Sequence, residues 1–395
     1  MGNYINRTPN FFMDLFVKQR IPYLYNRIQY LNEELTLFEC KKDKYELADT
    51  HKPCSIALIP AYCNPTLIDS GSFVVKTINQ YNLGYAILIE KEFNVDVYLK
   101  EQFKSNYRNL KKRHLRLENC FNVHYMLYHG NINKERYLFI MESLKCMLIK
   151  RFRQRKDKNE KLDEWDELLS NTYGQIIEKR ASLFVIYDDD LPIDISLNYH
   201  FDKIMFGAIS SYAIEYSKFG MGSIEKIKLL EWCLSNEYKI LEFGYGDLEY
   251  KKTWSNHIYR FKCQVIYNRS SILARLFAKM EILKLSLKEF LKAKKIDVYY
   301  KRLKSRLIYK KRKECLITKS IDYKRATVTD LKLYKDLKEV AYDLECPFHL
   351  KLIVNDFLYS NKEHKDHIVI QEVLQEPGSY IISGRKITQV FTFIN

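Results

Sequence analysis

Glycine and proline are scarce in this chain, twelve and eight among 395 residues, which excludes collagen-like and low-complexity architectures. Long apolar runs are missing too. No stretch approaches the roughly 18 uninterrupted apolar residues of a spanning helix, and the best candidate, Tyr137 to Ile149, is broken by Glu142 and Lys145. Met1 to Arg20 lacks the basic-then-apolar order of a signal peptide, because Asn3, Asn6, Arg7 and Asp14 interrupt it, so a cytoplasmic protein is expected. The nine cysteines (40, 54, 63, 120, 146, 233, 263, 315 and 346) form no C-x-x-C pair and are odd in number. Lying mostly in apolar runs, they read as reduced core thiols. The nine histidines contain no H-E-x-x-H motif, and His364 with His367 falls in a polar run that reads as a solvated turn, so no metal is expected.

Positive charge is abundant: 65 Lys and Arg stand against 49 Asp and Glu, a formal net charge of +16. An apolar share of 47% excludes a disordered chain, and 31 Tyr with 22 Phe supply amphipathic surface for a core or a ligand cleft. At roughly 150 residues per domain the length suggests two domains with a shorter extra piece. Charge marks one boundary. Residues 271–314 hold 15 Lys or Arg against four acids and no Gly or Pro, whereas residues 316–395 hold 11 of each sign. Within the basic segment Leu273, Leu276, Phe277, Met280, Leu283, Leu287, Phe290 and Leu291 recur near helical spacing, which predicts one or two amphipathic helices with a cationic polar face. After Cys315 a helix is expected over Thr329 to Tyr342, a second apolar stretch from Pro347 to Tyr359, and strand-like sequence from Tyr380 to Phe393.

Upstream, Tyr85 to Glu90 and Val95 to Leu99 read as short strands, while Phe103 to Glu118 and Lys134 to Arg155 read as helices, the first strongly basic. Residues 182–267 are the most legible. Ser182 to Tyr187, Pro192 to His200 and Lys203 to Ser210 form a predicted meander; a glycine-bearing loop follows, then a helix over Glu225 to Ser235, then a short buried strand, Lys239 to Phe243. Glycines just before a helix let backbone N–H groups point at an anion, and the helix N-terminus adds its positive dipole. Gly220, Gly222 and Ser223 are therefore candidates to cradle a pyrophosphate; the competing reading is a loop whose glycines only cap a turn.

The run Gly244-Tyr-Gly-Asp-Leu-Glu-Tyr-Lys-Lys-Thr-Trp254 resembles the Asp-x-Gly-x-Gly-x-x-x-Tyr-Lys signature of the GNAT-superfamily branch typified by the acyltransferases called CelD, associated with cellulose and other polysaccharide synthesis. The loop Lys218-Phe-Gly-Met-Gly222, the turn-linked strands before it and the Arg-rich stretch Asn106 to Leu117 agree with that family's order of motifs over residues 100–300. There are departures: Glu242-Phe243 and Tyr245 stand where the family has Asp before and Arg after the first glycine, and the loop lacks the usual Pro. The resemblance implies an α+β fold of tandem GNAT-like domains related to FemAB-type transferases, with mixed, mostly antiparallel sheets flanked by helices. The implied division is an acceptor-side half at 1–155, an acyl-CoA-binding half at 156–270, the basic helices at 271–314 and an extension at 315–395 that matches nothing familiar.

The implied reaction is acyl transfer from acyl-CoA to an amine, on an amino sugar or an envelope polysaccharide precursor. The alternative is transfer of a long acyl chain to a lipid amine at a membrane surface, and the departures keep open a non-catalytic GNAT-like scaffold. An attacking amine must be neutral, the oxyanion needs a donor and the leaving thiolate needs a proton. The resemblance assigns Asp247 and Glu249 to deprotonating or orienting the amine, Tyr250 to the thiolate and Lys251 to a phosphate or acceptor carboxylate. Against it stands a turn capped by Asp247 and paired with Lys251. Lys218, Phe219, Gly220, Met221, Gly222 and Ser223 would hold acyl-CoA, with no metal. Arg108, Arg113 and His200 are the acceptor-side candidates, although a His flanked by aromatics also reads as a core residue. For the basic patches an anionic membrane surface or a plain solvated face comes first, with the protein peripheral on the inner face. CoA phosphates and an acidic acceptor come next. Nucleic acid comes last, because no recognition motif appears and the aromatics follow core spacing.

Overall fold

The computed structural model describes residues 9–31, 33–35, 52–155, 162–294, 322–328, 334, 336–342 and 346–394. Along the chain these form α1 (Phe11–Phe16), β1 (Tyr25–Tyr30), β2 (Glu33–Leu35), β3 (Cys54–Ile59), β4 (Cys63–Leu67), β5 (Phe73–Leu88), α2 (Val95–Phe103), α3 (Tyr107–Cys120), β6 (Val123–Tyr128), α4 (Lys134–Arg155), α5 (Trp165–Ile177), β7 (Ala181–Asp188), β8 (Leu191–Phe201), β9 (Ile204–Tyr212), α6 (Met221–Ser235), β10 (Ile240–Tyr245), α7 (Glu249–Trp254), β11 (His257–Asn268), α8 (Ile272–Ala293), β12 (Tyr323–Thr327), β13 (Leu337–Glu339), α9 (Phe348–Asn361), β14 (Val369–Val373), β15 (Ser379–Ser383) and β16 (Thr388–Phe393). The class is α+β, with mixed sheets flanked by helices. Among the described residues no helix is long and apolar enough to cross a membrane.

Two units emerge, neither a single stretch of chain. The first comprises Met1–Glu90, Tyr199–Phe206 and Tyr238–Cys315. Its centre is the sixteen-residue β5, antiparallel to β11 on one side and β10 on the other. β3 closes one edge against β11, and β10 runs parallel to the start of β9 over Ile240↔Ile204 to Glu242↔Phe206. The short α1 buries Phe11, Phe12, Leu15 and Phe16; Phe12 meets Phe206, Tyr245 and Phe261 edge-on, the geometry that ring quadrupoles favour. β1, β2 and β4 form a small separate sheet.

The second unit comprises Lys91–Asn198, Gly207–Glu237 and Leu316–Asn395. β7 is buried along its whole length, as an unbroken Leu-Phe-Val-Ile-Tyr run requires, and pairs antiparallel with β6. A five-stranded sheet in the order β12-β16-β15-β14-β13 carries the C-terminal residues, with α9 burying Leu350, Ile353, Val354, Phe357 and Leu358.

Local pattern and structure part in three places. Val95 to Leu99 is helical, because Asn94 caps it by accepting from the Val97 N–H and because its apolar positions repeat at three and four. Leu337–Glu339, expected to be helical, is β13: Asp336 enters it at φ +54 and its backbone is taken up by β14. α6 begins at Met221, four residues before the expected Glu225, so Gly222 and Ser223 lie inside its first turn. The expectations for 295–314 and 329–333 lie outside the described residues.

Candidate active site

The glycine loop belongs to the second unit. A 3-10 turn over Ile214–Phe219 ends at Gly220, whose φ of +76 is a left-handed conformation that side chains resist. A Cβ there would also stand 3.2 Å from Cδ of Arg113 on α3, so Gly220 and Arg113 are brought together. Phe219 and Met221 are buried, and Phe219 meets Phe121 and Tyr359 edge-on, which anchors the loop on both sides of the glycine. The first four N–H groups of a helix lack intrahelical partners. No side chain caps α6; the Gly220 carbonyl accepts from Ser223 and Ile224. Gly222 faces open space, the nearest atom to an added Cβ being Lys226 Nζ at 3.9 Å. Lys226, nearly buried, donates to the Gly222 carbonyl at 2.9 Å and places a cation at the loop.

Lys218 is committed elsewhere. Its ammonium pairs with Asp356 on α9, which also accepts from the Tyr323 hydroxyl. Burial alone would push the Asp356 carboxyl up, but the bonds from Lys218 and Tyr323 outweigh it and hold the group below its ordinary value. Around this pair Asn355 donates to the Glu215 carbonyl at 3.0 Å, and Arg116 of α3 donates to the Tyr359 carbonyl. Tyr323 and α9 thus brace the turn that leads into α6. Lys218→Met is expected to cost about 1–2 kcal/mol of stability, less than a fully buried pair because the Lys218 side chain is half exposed, and to leave acyl-CoA affinity unchanged. Chemical denaturation and calorimetry check this; lost affinity at full stability would assign the ammonium to the ligand.

One buried carboxyl carries no signal in the local sequence. Asp194 on β8 is fully buried, and neither of its oxygens has a hydrogen-bond partner among the described residues. Burial first, then the charge of Glu225, push it well above its ordinary value against the pull of Lys226 and Arg151. The first turns of α6 therefore cover a polar, not an apolar, floor.

The signature run lies in the first unit. Asp247 and Glu249 both pair with Lys252, at 2.6 and 3.1 Å, and remain largely exposed, 75% and 88% for the side chains. The Tyr85 hydroxyl donates to Asp247 at 3.3 Å, and Tyr250 is exposed. Lys251 turns inward: buried, it donates to the Tyr245 carbonyl at 2.7 Å. Its charge acts on Glu242, a fully buried carboxyl on β10 that accepts from Tyr62 at 2.9 Å, Tyr259 at 3.0 Å and the Gly244 N–H at 2.7 Å. Burial pushes Glu242 up to about 7, against the bonds from Tyr62, Gly244 and Tyr259 and the positive charge of Lys251. Burial, then the charge of Glu242, hold both phenols well above their usual value, so they stay donors. Gly244 takes φ +70 with Phe206 Cε2 3.0 Å from an added Cβ, so the chain can turn there only as glycine.

Of the acceptor-side candidates, Arg108 and Arg113 are exposed on α3, and His200 is buried with Nδ1 2.8 Å from the Tyr238 hydroxyl. Glu242 stands out in the sequence only as a departure from the family's Asp, Asp194 and Asp356 carry no local signal, and Lys226 carries one, its place one helical turn beyond Gly222.

Residues 144–252 match the family model described as an acetyltransferase (GNAT) domain, a span that contains the glycine loop and the signature run as far as Lys252. No curated protein sequence matches the chain. Solved structures with a similar fold include FemX (11% identity, 51% of this chain and 65% of that one, TM-score 0.36), L-PGS from Bacillus licheniformis (10%, 54% and 67%, 0.33) and a conserved protein of unknown function from Bacteroides thetaiotaomicron VPI-5482 (9%, 51% and 64%, 0.35). The chain spans just under two thirds of the Bacteroides protein and of FemX, and at these TM-scores the likenesses carry no argument about what it does. The part of the chain that resembles a GNAT acetyltransferase domain is therefore 144–252.

Proposed function

We propose that this protein is an N-acyltransferase that moves an acyl group from acyl-CoA to an amine, with an amino sugar or an envelope polysaccharide precursor as acceptor. The observation that carries the reading is the start of α6: inside the segment matched to the GNAT domain, a helix begins without a side-chain cap, and a Cβ on Gly222 would meet only the Lys226 ammonium, at 3.9 Å. Such a terminus suits a pyrophosphate, through its N–H groups and dipole together. The thioester supplies an activated carbonyl, and the chain's own groups supply binding and proton handling. The Met221 and Gly222 N–H groups would hold the pyrophosphate, with the Ser223 hydroxyl beside them, Gly220 shaping the turn and Lys226 as the neighbouring cation. Asp247 and Glu249, exposed beside Lys252, are the groups proposed to orient the amine and take its proton.

Thermal shift and calorimetry with acetyl-CoA, palmitoyl-CoA and free CoA test the cofactor half; binding of none would sink it in favour of a scaffold. For the chemistry, Asp247→Ala is expected to lower kcat about tenfold, roughly 1.4 kcal/mol of transition-state stabilisation, at unchanged melting temperature because the side chain is mostly exposed. Full turnover in that variant would make the signature run structural. A second reading, long-chain transfer to a lipid amine, is favoured by the exposed apolar side of α8. Preference for palmitoyl-CoA would select it.

A further inference from the structure

α8 turns the usual amphipathic arrangement outward. Ser271 caps it by accepting from the Ala274 N–H at 3.1 Å, and the face it lays on β5 and β11 is narrow, with Ala274 and Ala278 buried. Glu289, also on that side, accepts from the Tyr81 N–H at 2.7 Å and from Lys292 at 2.8 Å, so the rotation of the helix about its axis is set. The large apolar side chains consequently point to solvent. Ile272, Leu276, Met280, Leu283, Leu287 and Phe290, spaced three and four apart, form one continuous exposed stripe; Ile272 is 80% exposed and Leu283 70%. An apolar stripe of that length on a water-facing helix marks an interaction surface.

Charge identifies the partner. At 100° per residue, Arg275 and Lys279 flank one edge of the stripe, and Lys284 and Lys288 flank the other. Lys279 and Lys288 form no ion pair among the described residues, and the two acids of the helix are engaged, Glu281 with Lys284 and Glu289 as above. The sequence then continues through 295–314 with nine Lys or Arg against Asp297 and Glu314. An apolar strip bordered by cations on both sides fits a layer with acyl chains below and anionic headgroups above. A second copy of this helix would bring the same cations face to face, which disfavours self-association. We propose that α8 is a docking helix that lies in the headgroup region of an anionic lipid bilayer, with its Ile272–Phe290 stripe inserted and its flanking lysines on lipid phosphates.

This surface stands on α8 alone and is read without turnover, so it holds or falls separately from the acyltransferase reading. The test is co-sedimentation of the full chain with phosphatidylcholine vesicles and with vesicles containing about one third phosphatidylglycerol, at low and high salt. The chain is expected to bind the anionic vesicles and to be released by salt. Leu276→Glu with Leu283→Glu, and separately Lys279→Glu with Lys288→Glu, should each weaken binding about tenfold or more at unchanged melting temperature, since all four side chains are exposed. Absence of binding by the parent chain, or undiminished binding by the glutamate variants, overturns the proposal. So does a dimer in sedimentation that the leucine variant dissolves, which would assign the stripe to a second copy.

Discussion

Gly222→Trp is expected to abolish acyl-CoA binding in calorimetry while leaving the melting temperature of the protein unchanged. The structure makes this a clean experiment. Gly222 lies in the first turn of α6 with no positive φ to preserve, and an added Cβ meets nothing closer than the end of the Lys226 side chain at 3.9 Å. A tryptophan in a helical turn is less costly than the glycine it replaces, so the fold tolerates it. What it fills is the space in front of the helix terminus, where a pyrophosphate would take the backbone N–H groups. Affinity that survives the substitution would remove the cofactor from this loop. Gly220 would not serve, because its left-handed backbone and the nearby Arg113 make any side chain there a folding defect first.

Protein stability is expected to fall as pH rises from about 4.5 to about 7, by roughly 3 kcal/mol through Glu242 alone. The folded state holds this carboxyl up at about 7, so in that window it binds more protons than the unfolded chain, and raising the pH favours unfolding. Below 4.5 both states are protonated and the contribution is complete; above 7 both are ionised and the loss is complete. Glu242→Gln should flatten this part of the profile. Its amide oxygen can still accept from the Gly244 N–H, and the Tyr62 and Tyr259 hydroxyls can rotate to accept from its NH₂. Urea denaturation from pH 4.5 to 8 reads the slope; an equal slope in parent and variant would assign the pH dependence elsewhere. Lys251→Met should steepen it, because the positive charge that favours ionised Glu242 is gone.

Much of the site is legible in the sequence itself. The meander, the loop, the helix and the strand over residues 182–245 follow from a β-branched run, two glycines and a 3.6-residue period, all of them local properties. The glycine loop is recognisable for the same reason: an anion cradle at a helix start is built from consecutive residues. The start of α6 falls one turn earlier than its apolar spacing indicates, because glycine weakens the helical pattern there.

Composition and short-range order thus determined the charge boundary near residue 271 and the position of the glycine loop, and the resemblance carried by the motifs supplied the α+β class. Tertiary structure decided which charges were free to act. Lys218 looks like a phosphate ligand until Asp356, 138 residues later, takes its ammonium. Lys251 reads as a ligand for a phosphate or an acceptor carboxylate until burial commits its ammonium to the Tyr245 carbonyl, where its charge acts on Glu242. The apolar stripe of α8 reads as one side of an amphipathic helix, and the bond from the Tyr81 N–H to Glu289, 208 residues apart, sets which side meets the sheet. For Lys218 and α8 the deciding partner is distant in sequence, and neither periodicity nor composition carries the identity of a partner that the fold alone brings near.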